Sequence, residues 1–147
     1  MMFKRILAPV DLAEDAQMER VLKLSISMAE ANDAELHVMT VLPTYTMPIV
    51  GSYFPKTHEK DALEAVRKHL KDKLDTLDAP SKGMKGHVTT GTIYDEIMRV
   101  ADELKCDLII MASNRPELQD YLLGPNSARV VRHAKQSVFV VREPFAE

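Results

Sequence analysis

The sequence predicts an α/β protein whose mostly parallel sheet is covered by helices. Five short apolar segments with β-strand character alternate with segments of helical periodicity, and this alternation is typical of βαβ units. The chain of 147 residues is long enough for a single domain with its own core, which we expect to span residues 1–147. Its composition, 46% hydrophobic and 28% charged, is that of an ordinary folded protein and excludes the disordered class.

The first half of the chain is predicted to hold two strands and two helices. An apolar strand over residues 5–10 leads into a helix over residues 14–31, where apolar residues recur every three or four positions and form one core-facing stripe. A second apolar strand follows at residues 36–42. Residues 43–55 contain three prolines and are predicted as a long loop, and residues 57–77 have the period of a second helix.

The second half continues the alternation after a turn at residues 78–86. The most hydrophobic strand of the chain lies here, at residues 107–112, and such a continuous apolar run suits the interior of a parallel sheet. The third strand, third helix, fourth strand, fourth helix and fifth strand are expected at residues 87–90, 91–104, 107–112, 124–133 and 137–141.

Charge and targeting patterns exclude several classes of protein. The 19 Lys and Arg residues are outnumbered by 22 Asp and Glu residues, so the net charge of −3 lacks the basic excess of nucleic-acid-binding proteins. Residues 1–11 do not form a secretory signal, and no apolar run approaches the ~20 residues of a membrane span. Cys106, the single cysteine, excludes an internal disulfide and fits a small buried side chain. We therefore expect a cytoplasmic protein with no nucleic-acid or membrane partner.

The carboxyl ends of the strands are the first place to look for a ligand site, because ligands of open α/β sheets bind there. Asp11 follows the first strand, Val41 ends the second, and residues 112–115 follow the fourth. The Asp11 carboxylate could accept hydrogen bonds from a ribose or an adenine amine, or it could form an Asx turn or a cap for the following helix. Both roles stay open on the residues alone. The sequence contains neither a P-loop nor a glycine-rich dinucleotide turn.

The start of the last helix is a second candidate feature. Gly124 lets the main chain approach a phosphate closely. The amides of Asn126, Ser127 and Ala128, together with the Ser127 hydroxyl, lie at the positive end of the helix dipole. Arg115 could add a bidentate contact to the same phosphates. The alternative is an ordinary capped helix beside a solvated arginine.

Six segments of the chain carry a family resemblance through their order and spacing. They are residues 4–11 (KRILAPVD), 34–36 (AEL) leading to Val41, 107–113 (DLIIMAS), 121–124 (YLLG), 130–134 (VVRHA) and 137–142 (SVFVVR). Together they resemble the universal stress protein family over residues 4–142. Residues 113–116 and 121–124 further resemble the branch typified by the F and G stress proteins of enteric bacteria.

The resemblance implies a three-layer open sandwich, with a five-stranded parallel sheet in the order 3-2-1-4-5 and two helices on each face. It also implies adenine-nucleotide binding, with ATP and Mg²⁺ as the cofactor. Pro9 and Asp11 would line the adenosine. Val41 would contact the adenine, and Met111 with Ala112 would border the ribose. Gly124 and the residues after it would hold the phosphates. The implied nucleotide-binding residues are Pro9, Val10, Asp11, Val41, Met111, Ala112, Ser113, Asn114, Arg115, Gly124, Pro125, Asn126 and Ser127.

The chain departs from the family's ATP-binding pattern of glycine, two residues, glycine, nine residues, glycine, then serine or threonine. Ala112 and Arg115 replace the first two glycines, and the spacer over residues 116–123 has eight residues. Pro125 stands where Ser or Thr is usual, which removes one N–H donor and one hydroxyl. The Ser127 hydroxyl could restore the hydroxyl, and Arg115 could supply charge.

The last strand is expected to be an exposed edge. It is short, apolar and free of proline, which suits an edge kept for pairing with a partner. Family members dimerise by antiparallel pairing of this strand, so the resemblance implies a homodimer or a higher oligomer. The alternative is an edge shielded by the tail at residues 143–145. The expected contact residues are Val138, Phe139, Val140 and Val141.

No residue set in the sequence is persuasive for catalysis or metal binding. The histidines show no metal-ligand spacing, and no Ser/His/Asp or Cys/His set is evident. Aromatic residues in the loop over residues 43–55 could close over a nucleotide, or they could be incidental. These histidines are His37, His58, His69, His87 and His133, and the loop aromatics are Tyr45, Tyr53 and Phe54.

The function favoured at this stage is that of an ATP-binding universal stress protein, a dimeric nucleotide-responsive regulator or stress-protective factor. One alternative is a dimeric interaction protein of the same family that binds an unidentified protein partner and no nucleotide. A third hypothesis is slow ATP hydrolysis or self-phosphorylation, and it ranks last because no general base is evident.

Overall fold

A computed structural model of the chain describes residues 2–43, 56–113 and 123–142, with the side chains of residues 43 and 56–59 left aside. Five strands and four helices alternate along these residues. In chain order they are β1 (Arg5–Pro9), α1 (Asp15–Asn32), β2 (Glu35–Pro43), α2 (Lys56–Asp75), β3 (Met84–Gly91), α3 (Ile93–Glu103), β4 (Leu108–Ala112), α4 (Pro125–His133) and β5 (Ser137–Val141).

The strands form one parallel sheet in the order β3-β2-β1-β4-β5, which confirms the α/β fold and the expected strand order. Residues of α1 and α2 pack in one core cluster on one face of the sheet. Residues of α3 and α4 pack in a second cluster on the opposite face. Two helices therefore cover each face, as expected.

Strand β1 lies at the centre of this arrangement. Ile6 and Ala8 point into the cluster under α1 and α2, whereas Leu7 points into the cluster under α3 and α4. All three side chains are fully buried. A strand that is covered on both faces has no solvent side, and this explains why its sequence is continuously apolar and does not alternate with polar residues.

Helix α1 confirms the predicted stripe. The residues that it buries follow the three- and four-residue spacing and are Met18, Val21, Leu22, Ser25 and Ala29. The helix ends where Asp33 adopts a left-handed conformation, and the Asp33 amide donates to the Glu30 carbonyl. A short polar residue tolerates this conformation better than most others, so Asp33 is a physical stop signal for the helix.

Besides the start of α3, which lies at Ile93 and not at Gly91, two predicted boundaries are wrong. Strand β3 begins at Met84, within the segment predicted as a turn, because an edge strand need not be apolar and Lys85 and Gly86 hid it from the hydrophobic pattern. At Gly86 a β-carbon would lie 3.1 Å from side-chain atoms of both Leu70 and Leu74, so the glycine lets α2 pack closely on the strand.

The second wrong boundary is the end of α2. The predicted helix continues to residue 77, but α2 ends at Asp75. The amides of Thr76 and Leu77 donate to carbonyls three residues earlier, at Lys73 and Leu74. Leu77 fits the apolar spacing of the helix, so the sequence predicts a helix that continues to it. In the structure these last residues form a tighter turn that is no longer α-helical.

Some predictions fall outside the described residues. The loop at residues 44–55, with its three aromatic side chains, and the tail at residues 143–145 are among them. Among the helices that the structure does describe, none combines the length and apolar character needed to cross a membrane.

The end of β3 generates a first prediction. Gly91 has φ +143°, and a β-carbon there would lie 2.9 Å from Cγ of Glu96, whereas Gly83 has φ +99° with open space around it. We expect Gly91→Ala to lower the free energy of unfolding by about 2 to 4 kcal/mol and Gly83→Ala by about 1 to 2 kcal/mol, because only the first adds a steric clash to the backbone strain. Urea unfolding of the two variants measures the difference, and equal losses would contradict the close contact.

Candidate functional site

The carboxyl edge of the sheet brings together the ends of β1, β2 and β4 and the start of α4. The Val10 amide donates to the Met39 carbonyl at 2.8 Å, so β1 and β2 stay attached beyond the last residue of β1. Pro9, Val10 and Asp11 are half-buried at this edge. Asp11 therefore lies at the mouth of the sheet, where the sequence predicts it.

Asp11 forms an Asx turn. Its Oδ1 accepts a hydrogen bond from the Ala13 amide at 3.0 Å, and its carbonyl accepts one from the Glu14 amide at 3.1 Å. This is the local role that the sequence left open, and it directs the chain from β1 into α1. A carboxylate has about four acceptor sites, so the turn leaves capacity for hydroxyl or amine donors from a ligand.

Val41 and Met111 supply apolar surface at the same edge. Val41 pairs in register with Thr89 of β3 and packs against the cluster under α3 and α4. Met111 is buried in that cluster, whereas Ala112 is half-buried and packs on the opposite face. Val41, the half-exposed member of this apolar wall, lies at the same edge of the sheet as Asp11.

A chain of hydrogen bonds fixes the start of α4 to the ends of β4 and β5. The Ser113 amide donates to the Val141 carbonyl at 3.0 Å, and the Gly124 amide donates to the Ser113 carbonyl at 2.7 Å. The Ser127 hydroxyl donates to the Ala112 carbonyl at 2.6 Å. Because Ser113 and Ser127 are both buried, these bonds are shielded from water and hold the corner rigidly.

The same bonds determine which donors remain at the start of α4. Pro125 has no N–H, the Gly124 amide is used by Ser113, and the first intrahelical bond runs from the Ala128 amide to the Gly124 carbonyl. Helix geometry leaves the first-turn amides of Asn126 and Ser127 without intrahelical partners. The Ser127 hydroxyl, expected to replace the one lost at Pro125, points inward instead. Among the described residues of the corner, these two amides are therefore the main-chain donors left at the positive end of the helix dipole.

The implied site residues Asn114 and Arg115 lie outside the described residues. Every other residue of the implied set lies at the carboxyl edge or at the α4 start.

Two ionisable groups near the sheet are each held in one protonation state. Hydrogen bonds from Arg99 lower the pKa of the Glu96 carboxyl, which stays ionised and paired beside the end of β3. Burial raises the pKa of the Cys106 thiol to about 12, so the thiol stays protonated and is not a nucleophile. Within the described ranges, no three His, Cys, Asp or Glu side chains are grouped as metal ligands.

One contact between two ionisable side chains could not be predicted from the sequence. His37 and His87, treated above as scattered, contact each other across β2 and β3, with Nδ1 and Nε2 2.9 Å apart. Residues fifty positions apart give no local signal of such a contact; only the register of β2 and β3 reveals it.

Strand β5 forms one edge of the sheet, and within the described residues it pairs with β4 alone. Phe139 of β5 and Val131 of α4 are 41% and 45% exposed. Since the Val141 carbonyl points toward β4, alternation along the strand directs the main-chain groups of Val138 and Val140 outward. The edge thus carries outward main-chain groups with apolar side chains nearby.

Comparison with known proteins identifies the family to which this chain belongs. The model of the universal stress protein family matches residues 2–142. The chain belongs to the universal stress protein family. Universal stress protein G of Shigella flexneri is 31% identical over 151 residues, an alignment that covers 96% of this chain and 100% of that protein. The resemblance to the enteric branch is therefore confirmed for its G member.

Solved structures of universal stress proteins and related chains share the fold. The hypothetical protein MJ0577 is 25% identical, with a TM-score of 0.77 over 99% of this chain and 100% of its own. A universal stress protein in complex with cAMP has a TM-score of 0.61 at 20% identity, over 97% of this chain and 98% of its own. One from Archaeoglobus fulgidus in complex with dAMP has a TM-score of 0.55 at 19% identity, over 97% of this chain and 100% of its own.

The buried hydroxyl at the α4 start generates a second prediction. We expect Ser127→Ala to lower the free energy of unfolding by about 1 to 2 kcal/mol, because it removes a buried hydrogen bond to the Ala112 carbonyl. The control Ser27→Ala, at an exposed position of α1, is expected to stay within about 0.5 kcal/mol of the unmodified protein. Urea unfolding measures both free energies. An unchanged free energy of unfolding for Ser127→Ala would show that this bond does not anchor α4.

Proposed function

We propose that the chain binds an adenine nucleotide at the carboxyl edge of the sheet and works in the cytoplasm as a nucleotide-responsive stress protein. The observation that carries this proposal is the anchored start of α4. Its Asn126 and Ser127 amides lie at the positive end of the helix dipole, on the same sheet edge as Asp11 and Val41. Anions bind readily at such helix starts.

The adenosine end of the ligand would rest on the strands. Val41 and Met111 supply apolar surface for a purine, and the half-exposed Asp11 carboxylate keeps acceptor capacity for ribose hydroxyls beyond its Asx turn. A fixed carboxylate of this kind would disfavour an approaching phosphate. The nucleotide would therefore lie with its sugar toward Asp11 and its phosphate toward α4.

The number of donors bears on which adenine nucleotide fits. Two main-chain amides suit one phosphate group, and Pro125 together with the inward Ser127 hydroxyl reduces what is left for more. The related proteins solved with cAMP and dAMP hold ligands with a single phosphate. ATP would bind through the same first phosphate, with Mg²⁺ held by the outer phosphates and Arg115 as the candidate for added positive charge.

A second candidate function is protein interaction without nucleotide. The reduced donor set at the α4 start favours it. Hydrolysis or self-phosphorylation has weaker support, because no described residue of the site is placed as a general base: Asp11 is held in its turn and Glu96 is paired with Arg99.

Calorimetric titration with AMP, and with ATP in the presence and absence of Mg²⁺, tests the nucleotide proposal. We expect binding of both nucleotides, and Gly124→Val to weaken it at least about tenfold, since added bulk blocks approach to charge-assisted donors that are each worth about 1.5 kcal/mol or more. Ala128→Val, which adds comparable bulk at an exposed site of the same helix, is the matched control and should bind normally. No binding at millimolar nucleotide, or equal losses in both variants, would reject this site.

We propose in addition that the protein is a homodimer paired through the outer edge of β5. The outward main-chain groups of Val138 and Val140 and the exposed Phe139 and Val131 support this assembly, because an unpaired apolar edge strand is otherwise an aggregation risk. Antiparallel pairing of two such edges would satisfy the outward donors and acceptors and continue the sheet across both chains.

A proline at Val140 tests the dimer. Val140→Pro removes an outward N–H without touching the bonds to β4, so we expect the unmodified protein and the control Val140→Thr to sediment as dimers and Val140→Pro as a folded monomer. Sedimentation equilibrium with circular dichroism separates dissociation from unfolding. A dimeric Val140→Pro variant would place the interface elsewhere, and a monomeric unmodified protein would remove the proposal.

A further inference from the structure

A pair of histidines, with His37 buried and His87 half-buried, joins the edge strand β3 to β2. His37 Nδ1 and His87 Nε2 are 2.9 Å apart, and the ring centroids are 5.1 Å apart with a tilt of 33°. In the register of the sheet, His37 lies opposite Lys85 and His87 opposite Met39, so the two rings are diagonal neighbours. They share the face covered by α3 and α4, since the partner of His37 on β1 is Leu7 of that cluster.

Two ring nitrogens at this distance need one shared proton. When both rings are neutral, one N–H donates to the bare nitrogen of the other ring. A first added proton leaves this bond possible, because an imidazolium can still donate to a neutral imidazole. A second added proton makes both rings donors and two like charges, and the bond is lost.

The groups around the pair disfavour added charge. His37 is 6% exposed. Arg5 of β1 and Lys85 of β3 add positive charge nearby, and Glu35 of β2 is already engaged in an ion pair with Arg5 at 2.9 Å. Burial is the main reason that the pKa values of both histidines lie below their ordinary range, and Lys85 adds to it.

Helix α3, which packs over this part of the sheet, brings no compensating charge. It buries Ile97, Val100 and Ala101, and its Arg99 pairs at the surface with Glu96 and Glu103 of the same helix. Added protons on the histidine pair therefore meet no described carboxylate that is free to balance them on this face.

We propose that the His37–His87 pair is an acid-sensitive fastening of strand β3, which holds the edge strand to β2 while the rings are neutral and loosens it in acid. The direction follows from proton binding. Rings exposed by opening take up protons more readily than rings in the closed pair, so opening is favoured as the pH falls below about 6.5. Strand β3 can respond because, in the described residues, β2 is its only strand partner.

The fastening adjoins the candidate ligand site. Thr89, the next residue after His87 on the same face, pairs with Val41, which we propose as part of the adenine wall. Loosening of β3 would disturb that wall, so acid would also weaken nucleotide binding. This consequence rests on the proposed function, whereas the fastening itself does not.

Amide hydrogen exchange of the ligand-free protein at about pH 7.5 and about pH 5 tests the fastening. We expect protection factors of β3 amides, corrected for intrinsic exchange, to fall about tenfold in acid relative to those of β1 and β4, because the open state takes up protons more readily than the closed pair. His87→Gln, which keeps a hydrogen-bonding group but does not titrate, should reduce this acid-dependent fall, because only His37 of the pair can then take up a proton. His69→Gln, at an exposed position of α2, is the matched control and should retain it.

For each variant, the protection factors of the β3 amides at the two pH values are compared as a ratio. The test therefore stays valid even if a variant is less stable at both pH values. His37→Gln provides an independent second variant, and ring-proton titration by NMR should place the pKa values of His37 and His87 below the ordinary range of histidine. β3 protection that does not depend on pH, or an unchanged fall in both pair variants, would overturn the proposal. AMP titration at both pH values separates the two claims: absent binding at either pH rejects the proposed function, while the exchange result still decides the fastening.

Discussion

The burial of β1 on both faces and along both edges is the constraint on which the rest of the structure depends. Ile6, Leu7 and Ala8 are fully buried, and β1 pairs with β2 on one side and β4 on the other. A strand in this position leaves no freedom of register, because a shift by one residue would exchange its two faces. Since all strands are parallel, their carboxyl ends are then forced to one edge, where the candidate site lies.

The groups of the candidate site that can bind an anion are main-chain amides more than side chains. The Ser127 hydroxyl and the amides of Ser113 and Gly124 hold the start of α4 in place, and helix geometry leaves the Asn126 and Ser127 amides without intrahelical partners. Free amides at a helix start can bind and orient an anion, which is the role that we propose for this site.

Much of this fold could be predicted from the sequence, and the failures have physical causes. Buried strands such as β1 and β4 can be recognised by their continuous apolar runs. The edge strand β3 is more polar, so the hydrophobic pattern did not predict its start at Met84. Asp11 was placed correctly at the mouth of the sheet. The inward Ser127 hydroxyl and the His37–His87 contact could not be foreseen, because both depend on how separate elements are juxtaposed.

The central claim is that one sheet edge, built by the parallel pairing around β1, receives an adenine nucleotide. Amide chemical shifts of the assigned protein during titration with AMP test it most directly. The account predicts saturable shifts at Asp11, Val41, Asn126 and Ser127, with little change along the exposed face of α2. Shifts confined to the opposite end of the sheet, or no saturable shifts at all, would contradict it.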